Sequence, residues 1–285
     1  MDKNGRAKHA VEVFQKLKLE NWSLSNQTIG QGAQSGVCTV KRKDGAKGVF
    51  RCLPPNPDDK AIKRFRREVD GINRIRHANV MNLLESSSDS PYWYISPLGK
   101  DFHTFWKSIQ NKFDYGKLES IGISLIRSLA QGLSAIHEEG IVHRDLKPSN
   151  IVVYDDENPT PVLIDFGVLW LQNGVDRLTD EDEAIGNARY SPDTFRQRMD
   201  SYTPWGDIFE LIQVFQWMFY ELDEKHYWQR PLHWRYIRYP ASVSPSFSAS
   251  LRAIGAVTSL EETSPKNGKE LVTLIDKLFM TNQSV

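Results

Sequence analysis

Two short runs, His143-Arg144-Asp145-Leu146-Lys147-Pro148-Ser149-Asn150 and Leu163-Ile164-Asp165-Phe166-Gly167, constrain the fold and chemistry of this chain more than any other feature. Asp145, Lys147 and Asn150 stand at i, i+2 and i+5, offsets that suit a loop whose side chains converge on one point. Such a loop combines a carboxylate able to take a proton or orient a hydroxyl, an ammonium to neutralise negative charge, and an amide oxygen for a metal ion. Asp165 adds the carboxylate oxygen that hard divalent cations favour. The competing reading is that these polar groups only satisfy buried backbone.

Around these runs the pattern divides in two. The apolar residues Ala10, Val13, Phe14 and Leu17 recur at helical spacing between Arg6 and Leu19. Trp22 to Ile29, Val37 to Lys41 and Ala46 to Leu53 read as strands, the last two joined at Asp44-Gly45, a strong hairpin signal, so a small antiparallel sheet is expected. Lys60 to Arg76 returns to helical spacing through Ile62, Phe65, Val69, Ile72 and Ile75, and Tyr92 to Ile95 is a further strand. Beyond Ser96-Pro97-Leu98-Gly99 the chain is mainly helical, with Gly122 to His137 a long apolar-rich helix. The expected division is a helical extension over residues 1–21, a β-rich part over 22–97 and a helical part over 98–285. With 40% apolar residues the chain can bury a substantial core. Lysine plus arginine and aspartate plus glutamate both number 36, which argues against a nucleic-acid platform and leaves only local charge clusters to matter. No signal peptide, no long apolar membrane span and no metal-ligand spacing of Cys38 and Cys52 is visible, so a reducing cytoplasm is the expected location.

The two runs resemble the catalytic core of eukaryotic-type protein kinases, and the resemblance covers roughly Trp22 to the C-terminus. It implies a bilobal α+β fold, a small β-rich lobe over a larger α-helical lobe, that moves the γ-phosphoryl group of ATP to a protein hydroxyl with Mg2+, or alternatively Mn2+. Asp145 is then the base, Lys147 the charge stabiliser, and Asn150 and Asp165 the metal ligands. Leu146-Lys147-Pro148 resembles serine/threonine rather than tyrosine kinases, and Ser149 gives no support for a basic substrate consensus. Ile29-Gly30-Gln31-Gly32-Ala33-Gln34-Ser35-Gly36-Val37 matches the glycine-rich phosphate loop, with Ser35 at the third glycine position and Val37 over the adenine. Ile29, Gly30, Gly32, Val37, Val49, Arg51, Glu68, Ser96, Leu98 and Val152 are the implied nucleotide-site residues, Ser96 and Leu98 lying in the hinge. His143 and Phe166 are implied members of an internal apolar stack with Ile72, and Asp207 matches a buried aspartate beneath the catalytic loop.

Several positions depart from the pattern. Arg51 stands where the family carries a third-strand lysine, and a planar guanidinium suits the helix carboxylate of Glu68 better than a phosphate. Lys47 is four strand residues away, roughly 13 Å, and neither it nor Lys41 is a convincing substitute. Asn187 replaces a usual threonine, and Ser191-Pro192-Asp193 is a degraded form of the Ala-Pro-Glu motif. Arg144 would seek an anion in the segment Thr179-Asp180-Glu181-Asp182-Glu183, supplied by phosphorylated Thr179 or by the carboxylates, unless that segment is only a solvated acidic loop. Tyr227 to Tyr239, with Trp228, Trp234, Tyr236, Arg230, Arg235 and Arg238, is either a dock for a substrate or regulator or ordinary core with snorkelling arginines. Three readings follow: an active serine/threonine protein kinase with a protein substrate, a pseudokinase that binds nucleotide or partners, and a small-molecule kinase on the same fold.

Overall fold

The hairpin at Asp44-Gly45 sets the register of the first unit. Gly45 takes φ +94°, a left-handed conformation that a side chain resists, and Asp44 Oδ1 accepts the Ala46 N–H at 3.0 Å. The strands it joins, β2 (Gly36–Arg42) and β3 (Lys47–Cys52), pair from Lys41↔Lys47 to Gly36↔Cys52. With β1 (Trp22–Leu24), β4 (Glu85–Ser87) and β5 (Trp93–Pro97) they form an antiparallel sheet in the order β1-β2-β3-β5-β4. The computed structural model describes residues 3–25, 36–155, 157–166, 170–171, 190–192, 203–220, 235 and 237–280. The chain divides into two units, Met1–Arg76 with Met81–Gly99, and His77–Val80 with Lys100–Val285.

The pairing gives the sheet two distinct faces. Cys38, Val40, Phe50, Cys52, Trp93 and Ile95 line one, because alternate strand residues point the same way. Helix α1 (Lys3–Leu17) covers this face with Ala10 and Phe14, where Phe50 meets Phe14 edge-on at 5.3 Å and stacks on Trp93 at 5.7 Å. The helix can lie directly on β2 because residue 36 is glycine: a Cβ there would sit 2.6 Å from the Arg6 carbonyl oxygen. Phe50 is fully buried, and truncation of such a ring costs about 3–5 kcal/mol. The opposite face carries Val37, Thr39, Val49, Arg51, Tyr94 and Ser96. Helix α2 (Asp59–Arg74) starts at Asp58, whose side chain accepts the Ala61 N–H at 2.7 Å, and it buries Phe65, Glu68, Val69, Gly71 and Ile72. The expected apolar face recurs there, with one carboxylate inside it.

The second unit is built on helices α3 (Phe102–Gln110), α4 (Tyr115–Glu138), α5 (Pro204–Phe219), α6 (Pro245–Thr258) and α7 (Gly268–Ile275). Helix α5 is buried from Trp205 to Phe219 except at Phe209, as an all-round apolar helix must be. Helix α4 begins earlier than its apolar pattern, because Asp114 caps the polar first turns by accepting the Lys117 N–H at 2.8 Å. Short strands interrupt the helices: β6 (Lys100–Asp101), β8 (Ile151–Tyr154) and β9 (Thr160–Leu163) form one ribbon, and β7 (Ile141–Val142) pairs with β10 (Trp170–Leu171). His77–Val80 joins this unit through Asn79, which donates Nδ2–H to the Pro161 carbonyl at 2.8 Å and accepts the Leu163 N–H at 3.0 Å.

Candidate active site

The run His143 to Asn150 occupies the loop between β7 and β8, closed by a 3-10 turn at Pro148–Asn150. Asp145 Oδ2 accepts the Lys147 ammonium at 2.5 Å and the Asn150 Nδ2–H at 2.9 Å, and Asn150 Nδ2 also reaches the Asp145 carbonyl at 2.8 Å. The three expected residues therefore converge. Both contacts of the Asn150 amide use its nitrogen, so its oxygen is the end suited to a cation. Asn150 also accepts the Ile164 N–H on its carbonyl at 3.0 Å, while Ile151 pairs with Leu163. Those two contacts tie Asp165 in register with Asn150. Asp165 and Arg144 both take left-handed backbone, φ 65° and 72°, a conformation that costs energy for residues with a Cβ and recurs at functional sites.

Asp207 holds this loop from below. Fully buried at the first turn of α5, it accepts the backbone N–H of His143 on Oδ2 and of Arg144 on Oδ1, both at 2.8 Å. His137 of α4 is the third partner, its Nε2 3.0 Å from Asp207 Oδ2. His137 Nδ1 accepts the N–H of Gly268 at 3.1 Å, so Nε2 carries the proton and donates to the carboxylate. His143 donates Nε2–H to the Ile164 carbonyl at 3.0 Å, and its ring lies 4.9 Å from that of Phe166, both fully buried.

In the first unit the expected nucleotide-site residues share the sheet face away from α1. Val37 pairs with Arg51 and Arg51 with Tyr94; Val49 pairs with Ser96, and Leu98 donates its N–H to the Lys47 carbonyl at 3.1 Å. Arg51 Nη1 donates to Glu68 Oε1 and to the Tyr94 hydroxyl, both at 2.7 Å, and Tyr94 donates to the same Glu68 oxygen at 3.0 Å. The guanidinium also lies 5.5 Å over the Tyr94 ring, which stacks on Phe65 at 5.8 Å. Glu68 is 2% exposed, and a buried carboxylate needs this kind of pairing. Tyr94 was not foreseen, because its role depends on cross-strand register rather than on any spacing along the chain. His137 and Glu210, a second buried acid of α5, were likewise missed; the signal for Glu210 was a lone acid inside an apolar run.

Val152 lies on β8 of the second unit. Ile29, Gly30 and Gly32 lie outside the described residues, as do Thr179 to Glu183, Asn187, Asp193 and the aromatic positions Tyr227, Trp228, Trp234 and Tyr236. Of the Tyr227 to Tyr239 segment, Ile237 is buried and Tyr239 packs under Arg252, whose Cζ is 5.4 Å from the ring, and Arg252 also donates to the Ile237 carbonyl. Ile237 is therefore core, and Tyr239 is half-buried. Among the described residues no group of three or more His, Cys, Asp or Glu side chains gathers as a metal cage, and no helix is long and apolar enough to cross a membrane.

Burial pushes the thiols of Cys38 and Cys52 up to about 12, with the neighbouring Cys52 adding to the effect on Cys38. In the unfolded chain both ionise near 9, so between about pH 9 and 12 the unfolded state has released protons that the folded state keeps. Stability is therefore full below pH 9 and falls as pH rises through that window. Partial burial shifts Tyr154 and Tyr239 upward too, and they act in the same direction above pH 10. Urea unfolding is expected to give constant stability from pH 7 to 8.5 and a steep loss by pH 10.5, with a shallower loss in Cys38→Ala. A slope unchanged by removing either thiol would show that other groups set the alkaline limit.

The family model for the protein kinase domain matches residues 24–222. The chain is similar to the receptor-like serine/threonine-protein kinase SD1-8 of Arabidopsis thaliana, 30% identical over 194 residues, covering 65% of this chain and 21% of that protein. It is 32% identical over 153 residues to mitogen-activated protein kinase HOG1 of Cochliobolus heterostrophus, covering 52% and 41%. Against mitogen-activated protein kinase pmk-2 of Caenorhabditis elegans it is 33% identical over 156 residues, covering 51% and 36%. The chain thus spans between 21% and 41% of the length of these relatives.

Proposed function

Because the chain belongs to the protein kinase family, we propose that it transfers the γ-phosphoryl group of ATP to a serine or threonine hydroxyl of a protein. The observation that carries this reading is the convergence of Lys147 and Asn150 on one oxygen of Asp145. Asp145 orients the acceptor hydroxyl and takes its proton, while Lys147 neutralises charge on the group in transfer. Asn150 through its amide oxygen and Asp165 through its carboxylate would hold Mg2+ or Mn2+, a donor set of two hard oxygens that leaves room for phosphates. When bound, that ion neutralises phosphate charge and aligns the leaving group. The nucleotide-site roles implied for Ile29, Gly30, Gly32, Val37, Val49, Ser96, Leu98 and Val152 are part of the proposal. The boundaries 1–21, 22–97 and 98–285, a cytoplasmic setting, a protein substrate and a regulator at the Tyr227 to Tyr239 segment complete the proposal.

A specific observation favours a second reading, a pseudokinase that serves as a binding module. Arg51 Nη1, at the family's lysine position, is engaged by both Glu68 and Tyr94. The two readings separate in a phosphotransfer assay with magnesium or manganese, using protein and metabolite acceptors and comparing wild type with Arg51→Lys. Wild type is expected to phosphorylate a protein acceptor. Arg51→Lys is expected to lower kcat/KM about tenfold, since an ammonium replaces one charge-assisted contact of the Arg51–Glu68–Tyr94 cluster, worth about 1.5 kcal/mol. A strong rise would mean that arginine handicaps the site. Folded wild type that transfers no phosphate establishes the pseudokinase reading, and transfer confined to metabolites establishes a small-molecule kinase.

A further inference from the structure

Helix α5 is a core helix, yet three residues after Asp207 it carries Glu210, fully buried. Packing alone does not call for an acid there, since removing a carboxylate from water costs several kcal/mol unless its oxygens are well paired. The oxygens of Glu210 face two different segments. Oε2 accepts the Leu146 N–H at 2.7 Å, the amide of the residue that separates Asp145 from Lys147. Oε1 accepts the Ser191 hydroxyl at 2.5 Å. Ser191 is itself fully buried, between the buried Tyr190 and Pro192. A single rigid carboxylate thus joins the catalytic loop to the segment where the family's Ala-Pro-Glu motif is degraded.

We infer that Glu210 is a positioning residue that couples the Ser191 segment to the Asp145–Lys147 peptide. The contact requires no assumption about activity; its catalytic consequence rests on the kinase reading. While the Ser191 hydroxyl donates to Oε1, the carboxylate is held in the rotamer that presents Oε2 to Leu146. Displacing Ser191 removes that donor from a group with no access to water. The carboxylate then turns toward other donors, and the Leu146 amide loses its fixed acceptor. Asp145 and Lys147 flank that amide, so the carboxylate and ammonium shift relative to each other.

Ser191→Ala and Glu210→Gln test the coupling, with hydrogen exchange of the Leu146 amide followed alongside kinetics. In Ser191→Ala, which changes nothing in the catalytic loop, the Leu146 amide is expected to exchange about tenfold faster while amides of α4 keep wild-type rates. Glu210→Gln keeps the shape and one acceptor oxygen. It is expected to fold, to lower kcat about tenfold, and to leave the KM for ATP unchanged, whereas general destabilisation would alter amplitude and melting temperature together. Wild-type exchange at Leu146 in Ser191→Ala overturns the inference, as does a Glu210→Gln enzyme with full kcat. If wild type transfers no phosphate, the kinase reading falls and the exchange result in Ser191→Ala decides the coupling alone. The same measurement decides it if Glu210→Gln does not fold.

Discussion

Replacing Asp145 by asparagine is expected to reduce phosphotransfer by about 10²–10⁴-fold, the range that a positioned general base contributes, without unfolding the protein. The exchange is nearly isosteric. It removes the negative charge that Lys147 pairs with and the basic oxygen that would take a proton. The loop keeps its shape, because the Asn150 amide still reaches the residue 145 carbonyl, and His143 and Arg144 stay bound to Asp207. Asp145 and Lys147 retain side-chain exposures of 18% and 24%, so their ion pair is partly screened and its loss barely moves the melting temperature. Single-turnover transfer of labelled phosphate, with circular dichroism on the same sample, measures both parts. Wild-type turnover in Asp145→Asn would remove Asp145 from the proposed base role.

Asp207→Ala is expected to have the largest effect on stability, a loss of about 3–6 kcal/mol. Three donors, the backbone N–H groups of His143 and Arg144 and the His137 imidazole, lose their acceptor in a site closed to water. Each buried donor left without a partner costs about 1–3 kcal/mol, and a whole domain has only about 5–15 kcal/mol to lose. Asp207→Asn retains one acceptor oxygen but turns its amide hydrogens toward a remaining donor, so an intermediate loss is expected. Urea unfolding of the three proteins at neutral pH checks the order. An Asp207→Ala protein as stable as wild type would mean that the loop is supported from elsewhere.

These residues also show what a sequence can disclose and what it cannot. The convergence of Lys147 and Asn150 on Asp145 was readable because offsets of two and five residues within one loop can bring side chains to a single point, and the Asp44-Gly45 hairpin because only a few residues accept its backbone. Tyr94 was not readable: it meets Arg51 through a strand register that exists only once β3 and β5 pair. The strand β4, Glu85-Ser86-Ser87, has no apolar alternation at all and forms because β5 offers it a partner edge. The start of α4 was hidden because a side-chain cap at Asp114, rather than periodicity, begins that helix. His137 looked like one more member of an apolar helix, and its role appears only when Asp207 and Gly268 arrive from far along the chain.

That last arrangement has a temporal side. The amides of His143, Arg144 and Leu146 find their acceptors 63 or 64 residues downstream, and His137 finds the Gly268 amide 131 residues downstream. Contacts of such separation form late in folding, after chain entropy has been overcome by packing elsewhere. During synthesis the His143–Asn150 loop therefore leaves the ribosome without the groups that shape it. It acquires its geometry only when α5 has docked, and the His137 latch closes only once α7 has begun to emerge. The geometry of this loop is a property of the completed helical unit, not of the short run that announces it.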